Sequence, residues 1–324
     1  MEAIRDKFKV DVEDFQKIPG MRPIRNIGNC GDVYFVTQKS TGKRCVLKQT
    51  KKKVITKEKS QDQIVFYQEV DAFILFKHPA IVNFIGWQTQ NKKGNIYLEL
   101  MENGSLTEYI EKHKGQMTVT QKIIISYGVA RAMKYLHSYN LLHRDLKADN
   151  ILLDKDLHPY VTDFGTSKRA EDVRTSLTVQ QTTVIIMPPE FIEDYKAYNR
   201  TKPIDVYSYS MVLFYLWYEQ PPFPKNLTSA VIVDYVMKDK RPEIPSNNSP
   251  NENLNSLIER CWDQNPAQRL TFSEICELFE SDYFDSLNHD KTSFKSYKEF
   301  IDSTPETKPD IIPQSIEDSI AKSS

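Results

Sequence analysis

Residues 141–165 read LLHRDLKADNILLDKDLHPYVTDFG, and this stretch decides the fold of the chain. Two short apolar pieces of β-strand length, residues 151–153 and 160–162, flank a sequence with Asp and Pro that is typical of a loop. They predict a β-hairpin. Because both strand ends of a short hairpin face the same side, we expect Asp145, Asn150 and Asp163 to lie at one site.

These three side chains offer the oxygen ligands that Mg²⁺ prefers. Magnesium dehydrates reluctantly and usually takes one or two protein oxygens together with substrate phosphates. The alternative is a polar loop whose carboxylates are satisfied by hydrogen bonds. Two carboxylates, a lysine and an amide this close together lose hydration that a ligand or cation has to offset, which favours a functional site.

The sequences HRDLKADN and DFG, in this order, resemble the catalytic loop and the metal-binding motif of the eukaryotic protein kinases. The resemblance implies an α+β, bilobal protein-kinase-like fold, with a β-rich N-terminal small lobe, a mainly α-helical large lobe and an active site between them. It implies ATP and Mg²⁺ as cofactors. Asp145 would accept the proton of the substrate hydroxyl, and Lys147 would steady the transferred phosphoryl group. Asn150 and Asp163 would hold the magnesium ions.

A second part of the resemblance lies nearer the N-terminus. Residues 62–77 predict a helix with Phe66, Val70, Phe73 and Ile74 on one face. Glu69, at the edge of that face, stands where the family has the glutamate of its regulatory helix, and Lys48, which ends CVLK, stands where the family has its phosphate-binding lysine. We therefore expect a Lys48–Glu69 ion pair. The alternatives are an exposed strand-end lysine and a solvated helical glutamate.

Further nucleotide contacts follow from the resemblance alone. The expected ATP-binding residues besides Lys48 and Glu69 are Gly28, Gly31, Val33, Val46, Glu99, Met101 and Leu152. Glu99 and Met101 would bond the adenine through their backbones. The loop ending at Gly31 departs from the family, because it is two residues shorter and has one glycine fewer. A shorter hairpin is expected to cover the phosphates less completely. Cys30 is part of this loop and would therefore lie above the nucleotide.

The residues that follow DFG lack regular periodicity, are rich in hydroxyls and resemble an activation segment. Its candidate phosphosites for an upstream kinase are Thr175, Ser176, Thr178, Thr182 and Thr183. Arg144 is expected to bind such a phosphate through two hydrogen bonds.

Two further motifs narrow the group of kinases. The pieces RPEIP and LIERCWDQNPAQRLTFSEI resemble the tyrosine-kinase-like group, in which Arg269 would pair with Glu190. Lys147 within LKADN favours serine or threonine as the acceptor in a protein substrate.

The composition sets the remaining expectations. The chain has 324 residues, 43 basic and 44 acidic, with a net charge of −1, so nothing in the global charge favours nucleic acid or a membrane surface. The four cysteines show no metal-ligand spacing, which favours reduced thiols and a cytoplasmic location. The N-terminus is charged and the longest apolar run has eight residues, so we expect neither signal peptide nor membrane span.

The polarity of the two ends sets the predicted domain boundaries. Residues 1–20 are expected to be an N-terminal extension, and residues 21–284 the kinase domain, with the small lobe at about 21–99 and the large lobe at about 103–284. Residues 285–324 are expected to be a flexible tail, with a short helix near residues 315–321.

Two alternatives to an active protein kinase stay open on the sequence. One is a pseudokinase that binds nucleotide weakly and acts as a signalling scaffold or switch, and only the shortened loop supports it. The other is a small-molecule kinase. Arg144, the long hydroxyl-rich segment and the tyrosine-kinase-like C-terminal motif favour a protein substrate over that second alternative.

Overall fold

The computed structural model of the chain describes residues 1–21, 31–55, 60–163, 185–194, 201–245 and 251–303. Backbone contacts divide these residues into two compact units. The N-terminal unit comprises residues 1–77 and 81–102 as far as they are described, and the C-terminal unit comprises residues 78–80 and the described part of 103–303.

The N-terminal unit is built on a five-stranded antiparallel sheet with the strand order β1-β2-β3-β5-β4. The strands are β1 (Phe15–Lys17), β2 (Asp32–Gln38), β3 (Arg44–Gln49), β4 (Phe84–Gln90) and β5 (Lys93–Glu99). The tight turn between β4 and β5 places Asn91 and Lys92 at φ values of 52° and 66°, a left-handed conformation that such hairpin turns require. The strand expected at residues 24–27 lies outside the described residues.

Two helices accompany this sheet, α1 (Glu2–Asp6) and α2 (Gln61–Leu75). The Ser60 hydroxyl begins α2 by accepting the backbone N–H of Gln63 at 3.2 Å. The four apolar residues expected on one face of α2 are all buried, which confirms the helical register: Phe66, Val70, Phe73 and Ile74.

Residues 1–17, the N-terminal segment, are folded against this unit, which corrects the expectation of an extension outside the domain. The segment contains α1 and β1, and β1 pairs with the end of β2. Val10 and Phe15 pack on a buried cluster that includes Tyr97, and the ring centroids of Phe15 and Tyr97 lie 4.0 Å apart. Charged residues separate these apolar side chains, so no regular period in the sequence marked them as part of a core.

The C-terminal unit is mainly helical. Its helices are α3 (Leu106–Lys112), α4 (Val119–Ser138), α5 (Pro189–Glu193), α6 (Pro203–Tyr218), α7 (Ser229–Met237), α8 (Glu252–Cys261), α9 (Phe272–Glu280) and α10 (Lys291–Ser303). Ser105 and Thr118 begin α3 and α4 with reciprocal capping boxes. Helix α6 is buried on nearly every side, as its apolar composition predicts. None of the described helices combines the length and apolar character needed to cross a bilayer.

Helix α10 overturns the prediction of a flexible tail for residues 285–303. Phe294, Tyr297 and Ile301 are buried on the side that faces α4. The fit is close, because a Cβ added at Gly128 of α4 would lie 2.3 Å from the Tyr297 hydroxyl. These residues recur at helical spacing, but a polar average composition concealed the stripe. The short helix expected near residues 315–321 lies outside the described residues.

Shortening the Ile301 side chain tests whether α10 belongs to the core. Ile301 is 1% exposed, so we expect Ile301→Ala to lower the free energy of unfolding by roughly 2–3 kcal/mol through the cavity it leaves. Phe300 is 41% exposed, and Phe300→Ala should cost less than about 1 kcal/mol. Urea denaturation of both variants checks this, and equal losses would argue against a packed α10.

His78 makes the stability of the C-terminal unit depend on pH. Burial, with a smaller contribution from the charge of Arg131, lowers the pKa of His78 from 6.5 to about 3. Its Nδ1 accepts the backbone N–H of Ala80 at 3.0 Å, which fits a neutral ring. The unfolded chain therefore binds a proton that the folded chain rejects, and stability falls as the pH drops through the unfolded value.

We expect His78 to reduce the free energy of unfolding by about 2 kcal/mol between pH 8 and pH 5. The measurement is chemical denaturation across that range. The unfolding free energy of His78→Gln should depend less steeply on pH than that of wild type. Parallel curves for wild type and His78→Gln would disprove this role of His78.

Candidate active site

The predicted hairpin after the catalytic loop is present in the C-terminal unit. Strands β6 (Ile151–Leu153) and β7 (Pro159–Val161) pair antiparallel, with Leu152 opposite Tyr160. The second strand begins one residue earlier than expected. A short 3₁₀ turn, Ala148–Asn150, leads into β6, and Asp163 lies two residues beyond β7.

Asp145, Lys147 and Asn150 form one hydrogen-bonded cluster. The Lys147 ammonium lies 3.2 Å from Asp145 Oδ2. The Asn150 amide nitrogen donates to the Asp145 carbonyl at 2.7 Å and to Asp145 Oδ2 at 3.1 Å. Asp145 is 6% exposed and Asn150 is 3% exposed, so the carboxylate is held in one orientation by buried partners.

The His143 imidazole makes hydrogen bonds to the backbone on both sides of this cluster. Its Nδ1 accepts the backbone N–H of Asp145 at 3.3 Å, and its Nε2 lies 3.0 Å from the carbonyl of Thr162. This pairing corresponds to a neutral ring with the proton on Nε2. One buried imidazole thus connects the catalytic loop to the strand end that precedes Asp163.

The catalytic loop is anchored to α6 by Asp205. Its two carboxylate oxygens accept the consecutive backbone N–H groups of His143 and Arg144, each at 2.8 Å. His137 Nε2 lies 2.9 Å from Asp205 Oδ2. Complete burial would raise the pKa of Asp205, but the hydrogen bond and charge of His137 and the backbone N–H of Arg144 outweigh this effect and lower the pKa.

Two residues of the site have left-handed backbone conformations. Arg144 has a φ of 63° and Asp163 a φ of 59°. Such conformations cost about 1–3 kcal/mol each in residues other than glycine, and they persist where surrounding contacts impose them. The hydrogen bond from the Arg144 N–H to Asp205 is one such contact.

The donor set at this site fits magnesium. The Asn150 amide nitrogen is engaged by Asp145, which leaves the amide oxygen as the group available to a cation. Within the described parts of the chain, no group of three or more His, Cys, Asp or Glu side chains is arranged to hold a metal. An amide oxygen from Asn150 and a carboxylate from Asp163 are the donor types that magnesium takes beside phosphate oxygens.

The N-terminal unit carries the second group of site residues. Lys48 on β3 and Glu69 on α2 form the predicted ion pair, with 2.5 Å between Lys48 Nζ and Glu69 Oε1. Their side chains are 7% and 8% exposed, so this pair is shielded from solvent. An ammonium group carries three N–H donors, and one of those of Lys48 bonds the Glu69 carboxylate.

Gly31 directly precedes β2, and Val33 lies on β2, the strand beside the one that carries Lys48. Val33 is opposite Lys48 in the register of β2 and β3. A Cβ on Gly31 would come within 1.9 Å of the Gln49 carbonyl oxygen, and the φ of Gly31 is 119°. Glycine is therefore required here by the close approach to β3, whatever its role toward a nucleotide.

The other predicted nucleotide contacts of this unit lie along β3 and β5. Val46 is opposite Leu98, and Glu99 ends β5 with its N–H bonded to the Asn83 carbonyl at 3.0 Å. Met101 follows and is buried. Their contacts with adenine stay predictions, as does that of Leu152.

Several expectations fall outside the described residues. They concern Gly28, Cys30, Thr175, Ser176, Thr178, Thr182 and Thr183. Within the N-terminal unit, the rings of Phe73 on α2 and Phe84 on β4 stack with their centroids 5.8 Å apart.

Sequence reasoning missed His137 as a partner of Asp205. It lies in the last turn of α4 and reaches an aspartate 68 residues away. Its place on an amphipathic helix indicated only burial, so nothing local distinguished it. The Glu190–Arg269 pair, in contrast, is confirmed, with two nitrogen–oxygen distances of 2.6 and 2.8 Å.

Comparison with known proteins agrees with this geometry. The protein kinase domain family matches residues 26–284. The RGS domain-containing serine/threonine-protein kinase A of Dictyostelium discoideum is 33% identical over 236 residues, which is 71% of this chain and 20% of that protein. The serine/threonine-protein kinase STY17 of Arabidopsis thaliana is 36% identical over 213 residues, or 66% of this chain and 36% of that protein.

A third relative is the serine/threonine/tyrosine-protein kinase HT1 of Arabidopsis thaliana, 33% identical over 226 residues, which cover 69% of this chain and 56% of that protein. The matched region thus spans between 20% and 56% of the length of these three relatives. The family match covers the catalytic cluster, the Lys48–Glu69 pair and the Glu190–Arg269 pair. This chain belongs to the protein kinase family.

Proposed function

We propose that the protein is an ATP-dependent serine/threonine protein kinase that uses Mg²⁺. The buried cluster of Asp145, Lys147 and Asn150 carries this proposal, because a carboxylate fixed by a cation and an amide is suited to accept a proton from an incoming hydroxyl. The names of the relatives support the same reaction, since two are serine/threonine-protein kinases and HT1 is a serine/threonine/tyrosine-protein kinase.

Each residue then has a part in the transfer. Asp145 orients the acceptor hydroxyl and takes its proton, and the Lys147 ammonium balances negative charge on the moving phosphoryl group. Lys48 binds phosphate oxygens of ATP while Glu69 fixes its position. Magnesium, when bound at Asn150 and Asp163, neutralises the phosphates.

The acceptor is proposed to be serine or threonine in a protein. Lys147 in LKADN and the names of the RGS domain-containing kinase A and of STY17 support that choice. We further propose that an upstream kinase modifies the hydroxyl-rich residues 175–183, that the protein acts in signal transduction, and that its location is cytoplasmic. The described cysteines, Cys45, Cys261 and Cys276, are buried thiols without disulfides, in keeping with that location.

The decisive experiment is a radiometric transfer assay with casein as acceptor. We expect the label of [γ-³²P]ATP to appear on serine and threonine after acid hydrolysis, and to be lost when EDTA removes Mg²⁺. Asp145→Asn serves as the blank. Transfer no faster than this blank would overturn the enzymatic proposal and support the pseudokinase alternative, and label on tyrosine would overturn the acceptor class.

A further inference from the structure

The N-terminal segment binds α2 through a buried ion pair between Arg5 and Asp71. Arg5 Nε and Nη2 each lie 2.5 Å from one carboxylate oxygen of Asp71. The Asp71 side chain is fully buried and that of Arg5 is 19% exposed. The Arg5 guanidinium also lies 4.5 Å from the centre of the Tyr67 ring. A planar guanidinium held at two oxygens and against a ring fixes the orientation of α2 as well as its distance.

Asp71 lies two residues after Glu69 on α2, so the two carboxylates project to nearly opposite sides of the helix. Glu69 points to Lys48 on the sheet, and Asp71 points to Arg5 on the N-terminal segment. The two ion pairs therefore hold α2 from opposite sides, at positions only two residues apart along the helix. Any rotation or outward shift that breaks the Lys48–Glu69 pair has to strain or break the Arg5–Asp71 pair.

The segment itself is fastened to the edge strand β4. Trp87 donates its backbone N–H to the Phe8 carbonyl and accepts the Val10 N–H, each at 3.1 Å. The Trp87 indole N–H donates to the Arg5 carbonyl at 2.8 Å. These bonds attach Arg5 to the sheet that carries Lys48.

The N-terminal segment packs so closely on β4 that residue 86 has no room for a side chain. A Cβ at residue 86 would lie 2.2 Å from Val10 Cγ1 and 2.8 Å from the Phe8 carbonyl oxygen. The φ of Gly86 is not positive, so an alanine would strain the contact with the segment and not the local backbone.

Building on the proposed function, we propose that Arg5 is a positioning residue of the phosphotransfer site, acting through Asp71 and α2 on the Lys48–Glu69 pair. The N-terminal segment raises the fraction of molecules in which Glu69 holds Lys48 in place. The apparent dissociation constant for ATP equals the intrinsic constant divided by the fraction of molecules with the Lys48–Glu69 pair formed. Loss of Arg5 lowers this fraction and so weakens ATP binding. Saturating ATP shifts the population back to molecules in which the pair is formed.

Steady-state kinetics distinguish this role from plain structural support. For Arg5→Ala we expect the KM for ATP to rise about tenfold while kcat at saturating ATP changes less than about threefold. Arg5→Lys keeps the charge without the two-point geometry and should recover part of the affinity. A merely structural role would lower kcat with the loss of folded enzyme and leave the KM unchanged.

Two variants complete the set. Gly86→Ala leaves Arg5 and Asp71 intact but displaces the segment, so it should reproduce the raised KM. Lys7→Ala removes an exposed charge of the same sign just after α1 and should behave as wild type. A tenfold KM effect that appears equally in Lys7→Ala would overturn the assignment to Arg5.

Hydrogen–deuterium exchange gives a readout that needs no turnover. In the full chain without nucleotide, Arg5→Ala should speed exchange at the amides of α2, and Lys7→Ala should not. By reciprocity, AMP-PNP with Mg²⁺ should slow exchange in residues 1–17 of wild type and do so less in Glu69→Gln. Unchanged exchange of α2 in Arg5→Ala would overturn the positioning role even if the kinase reaction is confirmed.

The exchange experiment also separates this proposal from the proposed function. A wild-type chain without phosphotransfer would overturn the proposed function, and the exchange rates of α2 would still decide whether Arg5 positions the helix.

Discussion

Asp145→Asn is expected to lower kcat by about a hundredfold to ten-thousandfold, the usual contribution of a positioned general base. Asparagine keeps the size of the side chain but cannot take a proton from the acceptor hydroxyl. The KM for ATP should change little, because Asp145 is not expected to contact the nucleotide. Initial rates with casein at saturating ATP measure the effect.

Asp149→Asn is the matched control for that variant. It removes the same charge four residues away, in the 3₁₀ turn that leads into β6. We expect its kcat to stay within a few-fold of wild type. Comparable losses in both variants would indicate a general electrostatic effect of the loop and would contradict a specific role for Asp145.

Arg269→Ala is expected to lower the free energy of unfolding by about 3–5 kcal/mol, because it leaves the buried Glu190 carboxylate without its partner. The Arg269 side chain is 0% exposed and that of Glu190 is 5% exposed. Arg269 also donates to the carbonyls of Pro203 and Asp263, at 3.1 and 2.9 Å. Thermal and urea denaturation should both register the loss.

A double variant separates the cost of an isolated charge from the value of the pair. Arg269→Met with Glu190→Met removes both charges, and we expect it to recover much of the stability lost in Arg269→Ala. The exposed Arg260, on α8, provides the control, and Arg260→Ala should change stability by no more than about 0.5 kcal/mol. A double variant as unstable as Arg269→Ala would show that the remaining hydrogen bonds of Arg269, and not the buried charge, account for the effect.

Local patterns predicted the elements that carry the chemistry. The hairpin after Asn150 follows from two apolar pieces around a loop, and the register of α2 follows from apolar residues at helical spacing. The Lys48–Glu69 and Glu190–Arg269 pairs were reached through motif resemblance, because no local rule joins residues 21 or 79 positions apart.

What sequence reasoning missed depends on long-range contacts. Arg5 meets Asp71 across 66 residues and Trp87 across 82, and each is an ordinary charged or aromatic residue in its own stretch. The packing of α10 was missed for a different reason. Its apolar stripe was present, but average polarity over the last forty residues outweighed three well-spaced side chains.

The left-handed backbone at Arg144 bears on whether the catalytic loop can be transplanted. An isolated peptide of this sequence would leave that conformation, because its cost of about 1–3 kcal/mol is not offset locally. The offset comes from Asp205, which belongs to a helix that begins about sixty residues further along the chain. HRDLKADN grafted onto another scaffold would therefore carry the reactive groups without their arrangement. A graft that keeps the arrangement of these groups has to include both the loop and the buried helix α6 that carries Asp205.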